Sequence, residues 1–216
     1  IQRFYSYPIK VMDDVSQISL GGGSSACITN NGDLYTWGSN YYGQLGKGSD
    51  EKNSSVPAKI MSGVKQVSMG YCHGACITLN GDLYTWGRNV MGQLGDGTTT
   101  DRNIPHKIMS NVAWVSLGKE HSACITTNGD LYIWGSNEYG QLGTSSKENS
   151  TTPQKIMSNV SQVSLGYYHS ACITKKGDLF AWGNDDGGLP NVDVTTNRYI
   201  PVKIAEKVNQ ISLGWG

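Results

Sequence analysis

The chain has 216 residues, and its 17 Lys plus Arg are balanced by 17 Asp plus Glu. No net field therefore draws in a polyanion such as DNA, and nucleic acid is not expected as a partner. No run approaches the ~20 consecutive apolar residues of a membrane helix, so no membrane segment is expected in this window. The 28 Gly against 2 Phe suit short strands joined by tight turns, which predicts very little helix. Residue 1 is Ile rather than Met, so the natural start is expected upstream and the compartment, cytoplasmic or secreted, is left open.

In chain order, the first predicted element is a Pro-led strand at Pro8, followed by a VSLG-like tetrapeptide ending at Gly21, an ACIT strand carrying Cys27, and GDLYTWG from Gly32. A loop containing GQLG, Gly43 to Gly46, completes the series. The series then recurs. GDLYTWG returns at Gly81, as GDLYIWG at Gly129 and as GDLFAWG at Gly177, in steps of 49, 48 and 48 residues. Trp37, Trp86, Trp134 and Trp182 keep that step, as do Cys27, Cys76, Cys124 and Cys172. Pro8, Pro57, Pro105, Pro153 and Pro201 mark five starts, and the VSLG-like tetrapeptides end at Gly21, Gly70, Gly118, Gly166 and Gly214. The units are approximately 8–56, 57–104, 105–152 and 153–200, with a partial unit at 201–216.

Each unit reads as four short strands. In the third copy these are Pro105 to Met109, Val112 to Gly118, His121 to Thr126 and Asp130 to Gly135, with turns at Ser110–Asn111 and at Asn128–Gly129. The second turn is read as a tight hairpin needing positive φ. A four-stranded antiparallel meander repeated every ~48 residues is the signature of a propeller blade, and the 3.6-residue rhythm of a helical solenoid is absent. The predicted fold is an all-β propeller of about four and a half such repeats over residues 1–216.

Written as VSLGxxHSACITxxGDLYxWGxNxxGQLG, the unit resembles the regulator-of-chromosome-condensation repeat over nearly the whole chain. GxxH, NGD, YxWG and GQLG (also Gly92 to Gly95 and Gly140 to Gly143) occur in fixed order in successive copies. The resemblance implies a ring of seven blades, which at this unit length needs roughly 340 residues. The sequence is accordingly read as an excerpt of a longer protein, the alternative being a short chain that self-associates through open propeller edges. Two copies depart from the pattern. The fourth has Asp185 to Asn191 in place of another GQLG loop, which predicts a rebuilt loop; the first has Gly22, Gly23 and Ser24 in place of xxH, which predicts a looser turn.

What every blade needs recurs, whereas what a partner reads can vary. The four repeat Trp residues are therefore expected to be packing anchors with each indole NH seeking an acceptor. The in-register Cys are expected to act as small buried hydrophobes, and Cys72 to be exposed and oxidisable. His73, His121 and His169 share a register and are read as satisfying turn backbone groups. No metal site, cofactor or catalytic constellation is expected. The loop after each YxWG should lie on the same face as the GxxH turn. That face would collect Tyr41, Tyr42, Tyr71, Lys119, Glu120, Tyr139, Tyr167 and Tyr168, with the polar loops Lys47 to Val56 and Asp96 to Ile104, as binding candidates.

The resemblance implies a non-enzymatic protein-interaction scaffold with a protein partner. It also suggests guanine-nucleotide exchange on a small Ran-type GTPase, although no nucleotide-displacing element is found, and inhibition of a secreted enzyme. Light sensing through Trp215, at the first variable place of a GxxH turn, is a further reading.

Overall fold

The computed structural model describes residues 7–184 and 197–214. Asp185 to Asn191 and Trp215 lie outside the described residues. The described chain forms four antiparallel sheets of four strands, each in chain order, and contains no helix. Blade 1 consists of β1 (Val15–Leu20), β2 (Ser24–Thr29), β3 (Leu34–Ser39) and β4 (Asn53–Met61). Blade 2 consists of β5 (Val64–Met69), β6 (His73–Thr78), β7 (Leu83–Gly87) and β8 (Arg102–Met109). Blade 3 has β9 (Val112–Leu117), β10 (His121–Thr126), β11 (Leu131–Gly135) and β12 (Ser150–Met157). Blade 4 has β13 (Val160–Leu165), β14 (His169–Thr174), β15 (Leu179–Gly183) and β16 (Arg198–Ala205).

This pairing corrects the phase of the unit. The Pro-led strand does not open a blade; it closes the preceding one, with Tyr84 opposite Lys107 and Thr85 opposite His106. The reason is local chemistry. Proline has no N–H for a ladder bond and is tolerated on an edge strand, and the fourth strand of a blade is such an edge. The turn after each fourth strand then passes to the next sheet through a left-handed residue: Gly63 (φ 69°), Asn111 (φ 61°), Asn159 (φ 61°) or Lys207 (φ 59°). Asn tolerates this conformation better than most side chains. In the hairpin between β10 and β11, only Gly129 (φ 89°) takes positive φ.

The core lies between blades. Ala26, Ile28 and Leu34 of blade 1 pack with Val64, Val67, Met69, Cys76 and Trp86 of blade 2. Equivalent clusters join blades 2 and 3 and blades 3 and 4. One serine per inner strand adds a directional bond: Ser19, Ser68, Ser116 and Ser164 accept at 2.8, 3.2, 3.1 and 3.0 Å from the amides of Met69, Leu117, Leu165 and Leu213. Gln17 and Gln66 bracket the next inner strand in the same way, through both N–H and C=O of Val67 and Val115. On the first blade's outward face, Ile18 and Leu20 are 66% and 69% exposed, whereas the equivalent Val67 and Met69 of blade 2 are 2% and 5% exposed. The four repeat Cys are buried and unpaired, each Sγ lying 3.5 to 3.7 Å from a Met Sδ of the preceding outer segment, as Cys76 does with Met61. Cys72 is buried too, not exposed; its turn is tied to the following loop, the Cys72 carbonyl accepting from the Arg88 amide at 2.9 Å.

Candidate interaction face

The antiparallel order places the turn between the first two strands and the loop between the last two at one end of every blade, here called the upper face. The repeated Asn and Gln of WGxNxxGQLG hold those loops. In blade 3, Asn137 Nδ2 donates to Thr144 Oγ1 and to the carbonyls of Ser146 and Glu148, while its Oδ1 accepts from the Leu142 amide. Asn40 and Asn89 play the same part in blades 1 and 2. Gln141 Oε1 caps the Tyr139 amide at 2.9 Å, fixing the loop tip.

The Gln main chain also ties blades together. Gln44, Gln93 and Gln141 carbonyls each accept at 2.9 Å from the indole NH of Trp86, Trp134 and Trp182 in the next blade. Those three rings are fully buried, whereas Trp37 is only partly so. His73 and His121 are fully buried in the same layer, and each Nε2 meets a serine of the next blade, Ser122 at 2.9 Å and Ser170 at 3.0 Å. The serines in turn donate to the Gln93 and Gln141 carbonyls. The histidines thus bond across blades, each to a serine of the next sheet. Burial drives the pKa of each from its ordinary 6.5 down to about 3, so both are neutral at pH 7. His169 is partly buried and shifted the same way. Where blade 1 lacks the histidine, Ser24 faces a blade whose matching position is Gly74. The turn there is not loosened: the Gly21 amide reaches Ser24 O at 2.8 Å, as the Gly70 amide reaches His73 O at 2.9 Å.

Of the eight upper-face candidates, five converge. Tyr71, Lys119 and Tyr167 occupy the same repeat position in blades 2, 3 and 4, and the Tyr71 and Tyr167 rings stand edge to face at 6.5 Å. Tyr168 packs against Tyr167 at 4.5 Å and against Tyr139 at 4.4 Å. The Lys119 ammonium lies 4.3 and 4.6 Å from the ring centres of Tyr167 and Tyr168 and donates to the Tyr168 hydroxyl at 2.5 Å. Burial alone would lower its pKa, but the two tyrosines raise it further, so the ammonium stays charged. Tyr71, Lys119 and Tyr167 also border a recess of about 160 Å³, whose remaining lining is Gly70, Gly118, Gly166 and the apolar Leu20, Met69, Leu117, Leu165 and Leu213.

The other three candidates lie elsewhere on the face. Glu120 is held by Arg88 at 2.8 Å, and the Arg88 guanidinium stacks 5.1 Å from the Tyr42 ring centre, so this group links blades 1 to 3. Tyr41 is 60% exposed with Lys52 over its ring. Arg88 was not singled out by sequence, although its repeat position (Ser39, Arg88, Ser136, Asn184) varies in charge, which is the signal that could have found it. The opposite face is more uniform: Lys59, Lys107, Lys155 and Lys203 each hold a hairpin aspartate, Asp33, Asp82, Asp130 and Asp178, at 2.8 Å.

With this geometry in hand, the chain can be set beside known proteins. The RCC1-like domain family matches residues 4–216. Human WBSCR16 superposes with a TM-score of 0.84 and 25% identity over 97% of this chain, and Prp20p from Saccharomyces cerevisiae with 0.80 and 18% over 100%. The chain spans 58% and 56% of those two proteins. E3 ubiquitin-protein ligase HERC2 of Homo sapiens is 50% identical over 38 residues, which is 18% of this chain and 1% of that protein. Among the described residues no helix is long and apolar enough to cross a membrane. The four-stranded blades, the repeated His, Trp and Gln contacts between them and the match over residues 4–216 show that the chain belongs to the RCC1-like domain family of β-propellers.

Proposed function

We propose that the chain is a non-catalytic interaction scaffold that binds a protein partner on its upper face through the Tyr71, Lys119, Tyr139, Tyr167 and Tyr168 cluster. The observation that carries this reading is the convergence of side chains from three blades at positions where the blades differ, on a frame whose recurring residues are spent on packing. Tyrosine gives a large contact area with little entropy to lose, and an aromatic cluster around one cation suits a binding hot spot. Likeness to Prp20p, described for its binding to Gsp1p and histones, agrees with a protein partner in general terms.

A photo-cross-linking amino acid at position 168 and, separately, at Asn128 on the hairpin face would test it. Saturable protein adducts from position 168 and few from position 128 are expected; the reverse would sink the reading. Nucleotide exchange is carried as the alternative activity. Nucleotide release from a Ran-type GTPase that stays at its intrinsic rate with this protein added would remove it.

A further inference from the structure

We propose that the axial recess receives an Asp or Glu side chain from an acidic segment of a protein partner, its carboxylate pairing with the Lys119 ammonium. This rests on the upper face being the binding face and adds the chemistry of what it binds. The four lysines repeated on the opposite face, Lys59, Lys107, Lys155 and Lys203, are each neutralised by a hairpin aspartate. Lys119 is held otherwise. It is partly buried, it is fixed by the Tyr168 hydroxyl and two tyrosine rings, and no carboxylate pairs with it among the described residues. Its neighbour Glu120 does not serve, because Arg88 holds that carboxylate.

An ammonium has three donors. Tyr168 accepts one and Tyr167 is the other hydroxyl that stabilises the charge, which leaves a donor for an incoming acceptor. A partly buried, immobilised cation without a counter-charge is a recognition element for an anion, since part of the cost of ordering it is already met. A second cation arriving beside it would be repelled.

The walls limit what can enter. A Cβ on Gly118 would stand 2.4 Å from the His121 ring and 2.6 Å from Gly166 O, and one on Gly70 would stand 2.5 Å from the His73 ring. Those two positions must therefore stay glycine, and the apolar Met69, Leu117 and Leu165 beside them leave Lys119 as the charged group of the recess. The carbonyls of Gly70 and Gly118 accept from the amides of Gly22 and Tyr71 at 3.2 and 3.4 Å, which ties each turn to its neighbour. The recess has a volume of about 160 Å³. It has room for a carboxylate side chain.

The test is selection of peptides from a displayed random nonapeptide library against the 216-residue chain, followed by affinity measurement on wild type, Lys119→Met, Lys119→Arg and Tyr168→Ala. Thermal unfolding of each variant checks that the fold is retained. Selected peptides should be enriched in Asp or Glu, lose tenfold or more in affinity on Lys119→Met, recover partly on Lys119→Arg, and weaken as salt is raised. Peptides that need Tyr168 but are neutral or basic, or that ignore Lys119→Met, would overturn the carboxylate and leave the face standing. Peptides indifferent to both positions would overturn both, and an empty selection would count against the carboxylate.

Discussion

At the residue scale, the buried histidines give the chain a pH dependence with a defined sign. His73 and His121 titrate near 3 in the folded chain and near 6.5 when unfolded, so between those values the unfolded state binds more protons. Stability is fully present above pH 6.5 and falls as pH drops through that window, by about 2 kcal/mol per histidine at pH 5. The depressed carboxylates Asp33, Asp82 and Asp130 act below their ordinary 3.8, so they add little between pH 7 and pH 5. Thermal unfolding at pH 7 and pH 5 should show a marked fall in Tm for wild type and a flattened response in His73→Asn/His121→Asn; equal slopes would refute the assignment. The histidine register was legible in the sequence, but its partner was not. Ser122 and Ser170 stand 49 residues on from His73 and His121, in the following copy. The usable signal was pairwise: a histidine faces a serine, and Ser24, which replaces a histidine, faces Gly74.

At the element scale, strand content and the four-stranded blade could be read from the Gly, Trp and NGD spacing, because every blade must solve the same packing problem. The phase could not. A period is unchanged by a cyclic shift, so any of the four strands can be named first, and only Pro57, Pro105, Pro153 and Pro201 hinted that theirs lies at an edge. The loops show a similar split, since Asn137 was visible as a repeated letter but not as the residue that pins its loop. Replacing Asn137 with Ala strands buried carbonyls and an amide, and should cost about 2 to 4 kcal/mol. Amide exchange should accelerate chiefly across residues 138–149. A uniform acceleration over all four blades would instead mean that the loop is not an independent unit.

At the scale of the whole molecule, function and stability are divided between positions that vary and positions that recur. The recurring Trp, Gln and Ser contacts run from blade to blade, so each sheet depends on its neighbours. That dependence shows on the first blade, where Ile18 and Leu20 stand exposed at places buried elsewhere in the stack. The varying positions gather on the upper face, but their three-blade convergence was not readable from sequence, because it depends on how far each blade is rotated from the next. The most direct measurement is amide hydrogen exchange of the chain with and without the partner captured at position 168. Protection centred on residues 118–120 and 166–168, with the hairpin residues 127–130 unchanged, is the predicted result. Protection of the hairpin face with the tyrosine cluster unaltered would contradict the account.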